Sequence, residues 1–163
     1  MNHRWFLLGV WLLLAPASCV RPDSVPSPSS SGIAVKGVEQ GIVSRVNATR
    51  VSAGKPSLTR NADLDALART LANRMATEGR LTHAGFQARF QQAHAETGAI
   101  LFGENAHSVP PVGDPAKRLV EEWLVSRIHR NNILNGNWNL TGVGTAADKS
   151  GRIWAVQVFA MAP

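Results

Sequence analysis

Cys19 is the only cysteine in this chain of 163 residues, and it stands at the end of an apolar leader. No intrachain disulfide can form. The covalent framework that staples many small exported domains is therefore ruled out. Packing alone must hold the core, so the chain has to supply amphipathic elements in quantity. Its length allows one domain and a short appendage. An apolar fraction of 44% is ordinary for a globular protein and fits no collagen, coiled-coil or disordered class.

The leader has three parts. His3 and Arg4 open it, an apolar run follows from Trp5 to Ala15, and the small residues Ala17 and Ser18 close it. That is the layout of a secretory signal peptide. The run is shorter than the roughly 20 apolar residues that span a bilayer. Two processing sites are legible. Pro16-Ala17-Ser18-Cys19 resembles a bacterial lipobox, although an aliphatic residue is usual where Pro16 stands. It would make residues 1–18 the signal and place a lipid on Cys19. Ala15-Pro16-Ala17 also reads as an ordinary A-x-A site, which would give a soluble secreted protein. Lipidation is favoured because it accounts for an otherwise unexplained exported thiol. Arg21 to Gly32 is rich in Ser and Pro and reads as a semi-extended tether. The expected organisation is a signal over 1–18, a lipidated cysteine and tether over 19–34, and one domain over 35–163.

The formal charge is +6, or +5 once residues 1–18 and their Arg4 are removed. The basic residues are scattered singly, with no RNP, zinc-finger or basic-helix motif, so a nucleic-acid partner is not expected.

Within the domain, Val38, Ile42, Val43, Val46 and Val51 form a helical stripe that ends near Gly54-Lys55-Pro56. Asn61 is a good cap for a second helix carrying Leu64, Leu67, Ala68, Leu71, Ala72 and Met75, with Gly79 as its stop. Gly85 to Ala95 reads as a shorter helix and Ile100 to Ser108 as a strand. Asp114 and Pro115 open a helix reaching Ser126, and His129 to Leu134 reads as one further turn. Leu140 to Ala146 and Ile153 to Ala160 flank a turn at Asp148 to Gly151. These two strands are too close for a crossover helix and must pair antiparallel.

The order of short motifs carries a family resemblance. Asn47-Ala48-Thr49-Arg50 is followed by Leu81-Thr82-His83, Gly103-Glu104-Asn105 and Trp123-Leu124-Val125-Ser126. His129-Arg130-Asn131-Asn132-Ile133-Leu134, Gly142-Val143-Gly144 and Trp154-Ala155-Val156-Gln157-Val158-Phe159 complete the set. From about Val38 to Ala160 the chain resembles bacterial SCP-domain proteins of the CAP superfamily (cysteine-rich secretory, antigen 5 and pathogenesis-related 1 proteins). The resemblance implies an α+β fold, an α-β-α sandwich with a small antiparallel sheet between helical layers. It also implies a cleft where two His and two Glu meet and can bind a divalent metal, often zinc. His83, Glu104 and His129 match three of those positions. Ser126 stands where the second Glu would be. Relatives are linked to sterol or lipid binding, metal binding and peptidase activity, with no shared chemistry.

Two imidazoles suit zinc, and a carboxylate can complete such a set or serve as base for a bound water. His83, Glu104, Ser126 and His129 equally fit a buried hydrogen-bond network that locks loops together. The leading expectation is an envelope-anchored domain whose cleft binds a metal or a small or lipid ligand. The alternative is a metal-assisted peptidase or esterase using Glu104, His83 and His129. His94, His107 and Arg130 carry little weight in this reading. Asn105 is expected to bond backbone, and Trp123, Trp138 and Trp154 to lie in the core. Gly142 to Ala147 does not lead into a helix, so it is no dinucleotide fingerprint, and no G-x-S-x-G, H-E-x-x-H or P-loop is present. Because no disulfide is available, the melting temperature of the domain should be identical with and without a thiol reductant. A clear drop on reduction would show that something other than packing holds the core.

Overall fold

The computed structural model describes residues 30–163, with side chains from Gly37 onward. The signal segment, Cys19 and most of the 19–34 tether lie outside the described residues. The elements are α1 (Ser30–Ser52), β1 (Thr59–Arg60), α2 (Ala62–Glu78), α3 (Phe86–Thr97), β2 (Leu101–Val109), α4 (Pro115–Val125), α5 (Arg127–Leu134), β3 (Leu140–Ala147) and β4 (Ile153–Met161). No helix among the described residues is long and apolar enough to cross a membrane.

Local chemistry sets the helix ends. The Asn61 side chain accepts from the Asp63 and Leu64 amides and caps α2. Gly79 then closes that helix in the left-handed conformation, which favours glycine. Asp114 accepts from the Lys117 amide, and Pro115 occupies the first turn of α4.

The sheet has the order β1-β3-β4-β2. β4 is central and pairs antiparallel with both β2 and β3, with Val158 opposite both Glu104 and Gly142. Its residues Trp154 to Ala160 are all buried, as expected of a strand covered on two faces. One core layer packs Ile42, Val46, Leu119, Trp123 and Ile133 of α1, α4 and α5 against Val143, Ala155 and Phe159. The other packs Leu64, Leu67, Leu71 and Met75 of α2, with Ala93 of α3, against Ala106, Val156 and Val158. The result is the three-layer α-β-α arrangement that the resemblance implied.

Several details differ from the sequence reading. β1 pairs parallel with β3 through Thr59↔Leu140 and Arg60↔Thr141, so the sheet is mixed. Two residues are too few to leave a period. The helical backbone of α1 already begins at Ser30, ahead of Val35. Val51 is exposed, whereas Arg50 beside it is fully buried. The Arg50 guanidinium donates to the carbonyls of Pro56, Ile133 and Asn135 at 2.7–2.9 Å, so backbone oxygens surround this cation.

α2 crosses β3 with almost no gap. A Cβ on Gly142 would lie 2.2 Å from the Leu64 carbonyl carbon, and one on Gly144 would lie 2.0 Å from the Arg69 nitrogen. Both obstacles are backbone and cannot swing aside. Gly142→Ala and Gly144→Ala should each cost about 3 kcal/mol or more in urea unfolding, at the upper end of overpacking penalties. Gly37→Ala, in a helix and with nothing within 4 Å, should be neutral or stabilising by up to ~1 kcal/mol.

Candidate functional site

β2 is the outer strand on the side of the sheet away from β1. Glu104 stands in its middle. Its carboxylate is buried, with a side chain only 1% exposed, and both oxygens are engaged. His83 Nδ1 donates to Oε1 at 2.6 Å. The carboxylate can only accept, so the shared proton belongs to the ring nitrogen. Arg89 of α3 grips the same carboxylate through two bonds, Nε to Oε2 at 2.8 Å and Nη2 to Oε1 at 3.0 Å. Such a bidentate charged pair fixes direction as well as distance. His83 itself is half exposed, on the loop between α2 and α3.

That loop is held by arginines. The Ala84 carbonyl accepts from Arg74 Nη2 at 2.8 Å and from Arg89 Nη1 at 2.9 Å. Gly85 turns the chain with φ 81°. Arg89 therefore sets both the loop and the carboxylate to which His83 is bonded.

The opposite wall comes from α5. Asn105 Nδ2 donates to the His129 carbonyl at 3.0 Å, and Asn132 Nδ2 donates to Asn105 Oδ1 at 2.8 Å. Gly103 allows this approach, because a Cβ there would meet the Trp138 ring at 3.0 Å. The Trp138 indole donates to the Asn132 carbonyl. The Gly103-Glu104-Asn105 motif thus has three separate duties: room for Trp138, the buried carboxylate and the tie to α5.

His129 is half buried. Burial, then the charges of His107 and His83, hold its imidazole below the ordinary histidine range. The three rings therefore share one electrostatic neighbourhood. His107 is also depressed, first by burial and then by Arg118 and Arg152, against an opposing Glu122. Ser126 caps the corner between α4 and α5 through its backbone and makes no side-chain capping bond. Among the described residues no hydrogen bond joins it to His83, Glu104 or His129.

The structure thus brings His83 and Glu104 into contact, sets His129 near enough to feel the charge of His83, and leaves Ser126 at the α4–α5 corner with no bond to them among the described residues. Arg89 and His107 belong to the same region and were not singled out from the sequence. An arginine at helical spacing gives no signal until its carboxylate is known. The pairing of His94 was local, to the Ala99 carbonyl. A divalent metal does not suit this donor set as arranged. Both Glu104 oxygens are engaged and a guanidinium stands 2.8 Å from one of them. Among the described residues no three His, Cys, Asp or Glu side chains are placed to hold a metal ion.

Residues 43–159 match CAP, the Cysteine-rich secretory protein family. No curated protein matches the chain in sequence. Among solved structures, an extracellular protein containing an SCP domain from Bacillus anthracis has TM-score 0.71 and 22% identity, over 85% of this chain and 45% of that one. An outer surface protein from Borrelia burgdorferi has TM-score 0.68 and 20% identity, over 79% and 96%. A cysteine-rich secretory protein from Staphylococcus aureus has TM-score 0.64 and 17% identity, over 82% and 40%. The chain spans less than half of the Bacillus and Staphylococcus proteins. At these identities the likeness is one of fold.

The depressed histidines set a pH dependence. Above about 6.5 the unfolded histidines are neutral like the folded ones and contribute no slope. Below it the unfolded chain binds protons that folded His129 and His107 refuse, so stability falls as the pH drops. Urea unfolding between pH 7.5 and 5 should show this loss, and His129→Asn or His107→Asn should each flatten it. An unchanged slope in both variants would assign the loss to other groups.

Proposed function

The chain belongs to the CAP family, and from that premise we propose that it is an exported ligand-binding domain, held at the cell envelope by a lipid on Cys19. Its recognition site is the cleft beside β2. The observation that carries this reading is the state of Glu104, whose two oxygens are fixed by His83 and Arg89. A carboxylate gripped in this way positions a neighbour. Its Oε1 accepts two hydrogen bonds and its Oε2 one, which fixes the carboxylate's orientation toward His83 and Arg89. The groups left to meet a ligand are the outer nitrogen of His83, the half-buried ring of His129 and, at the α4–α5 corner, the Ser126 hydroxyl. They suit a small polar molecule or the head of a lipid. The apolar leader and its terminal cysteine support export and anchoring, and the Bacillus and Borrelia relatives are described as extracellular and outer surface proteins.

A thermal-shift panel of phospholipid headgroup analogues and cell-wall peptide fragments should give a stabilising ligand, and the shift should vanish in the His83→Ala, His129→Ala double variant. The same protein should turn over no generic peptide or ester, with or without added zinc. Turnover that disappears in the double variant would replace binding with hydrolysis. Separately, Cys19→Ala should move the exported protein from the membrane to the soluble fraction. A wild-type protein that is soluble and begins at Ser18 would establish ordinary cleavage instead.

A further inference from the structure

We propose that the corner between α4 and α5 is a contact element for an anionic membrane surface. Val125 ends α4 and Ile128 lies in the first turn of α5. At 86% and 71% exposure they are the two most exposed large hydrophobic residues among those described. Neither belongs to a core layer. α4 buries Ala116, Leu119, Val120 and Trp123, and α5 buries Ile133. Isolated exposed apolar residues are ordinary. Here two stand three positions apart, with Arg127 between them and Arg130 following, both exposed.

The charge around this corner is uncompensated. The acids nearby on α4 are already paired one turn apart, Lys117 with Glu121 and Arg118 with Glu122. Among the described residues no carboxylate pairs with Arg127 or Arg130. Apolar tips interleaved with free guanidiniums match the boundary of an anionic bilayer, where acyl chains lie just beneath phosphates. A protein partner fits less well. Two side chains fall far short of the ~800 Å² per partner that a stable interface buries. His129 follows Ile128 directly, so docking here would bring the mouth of the cleft to the headgroups.

The test uses the chain from residue 19 onward, which retains every described residue, with Cys19→Ser. An environment-sensitive fluorophore is placed at Ile128→Cys, or at Lys149→Cys on the β3–β4 turn as a control. The probe is a vesicle of phosphatidylglycerol in phosphatidylcholine, compared with phosphatidylcholine alone. The label at 128 should shift to the blue on the anionic vesicles only, while the label at 149 stays in water. Replacing both Arg127 and Arg130 by Gln should weaken the association roughly 30-fold, since each basic residue near such a surface contributes ~1 kcal/mol. Soluble glycerol phosphate should not compete. A label at 128 that remains aqueous, an equal shift at both positions, a shift indifferent to phosphatidylglycerol, or a shift caused by self-association without vesicles would overturn the proposal. Loss of vesicle binding by the unmodified domain would still leave ligand binding in the cleft to be judged by its own thermal shifts.

Discussion

Two buried carboxylates complete the edge of β3. Beyond the two residues of β1, that edge presents the amides of Val143 and Thr145. Asp65 accepts the first at 2.7 Å and Glu39 the second at 3.2 Å. Buried amides need such partners. The carboxylates in turn need cations, and Arg60 and Arg69 supply them. Arg69 binds Glu39 through two bonds at 2.7–2.8 Å, and Arg60 binds both Glu39 and Asp65. One cluster thereby joins α1, β1, α2 and β3. It forms only because α2 approaches β3 closely, and that approach requires glycine at 142 and 144.

The other edge of the sheet is treated differently, and the polar cluster around Glu104 is the consequence. Among the described residues, β2 has no further strand beside it. Strand edges expose backbone groups that would pair with another chain, and folded proteins cover or interrupt them. Here the covering comes from side chains and from short pieces on two sides. Asn132 of α5 donates to the Glu104 carbonyl at 3.3 Å, while the loop carrying His83 closes on the Glu104 side chain. Neighbouring strand residues face opposite sides of the sheet. Glu104 therefore turns toward the α2–α3 layer and Asn105 toward the α5 layer. Polar groups from the two layers meet at this edge, as Glu39 and Arg69 do at the edge of β3. A site made in this way needs no dedicated domain.

Most of the scaffold was legible because it is periodic. The stripe of α2, the Asn61 and Asp114 caps and the β3–β4 hairpin all follow from the residue pattern, and the structure has them. Buried charge was not legible. Glu39 and Arg50 sit within the α1 pattern as ordinary polar residues, and their burial depends on partners more than eighty positions away, the Ile133 carbonyl and the Thr145 amide. β1 was invisible for a related reason, since its two residues take their conformation from β3. At the site, motif order selected His83, Glu104, Ser126 and His129, and contact joins the first two. Arg89 was missed because its role exists only once the loop folds back. His107 carried little weight in the sequence, yet it lies half buried and its charge lowers His129.

The electrostatics around Glu104 and His129 bear on what the proposed site would recognise. Burial is the main reason that His129 and His107 are held below the ordinary histidine range; the charges of His107 and His83 add to it at His129, and those of Arg118 and Arg152 add to it at His107 against Glu122. The charge on Glu104 is met by Arg89 within hydrogen-bonding distance. The interior of the site is therefore close to neutral in sum, despite the positive charge of the whole chain. Neutral imidazoles offer one donor and one acceptor each, in fixed directions. They favour a hydroxyl, amide or carbonyl over a bare ion, which would find no counter-charge there to offset its lost hydration. Arg127 and Arg130 stand on the α4–α5 corner, with no carboxylate paired to them among the described residues. The proposed attraction to an anionic surface and the proposed recognition beside β2 therefore rest on different residues, and a substitution should alter one without the other.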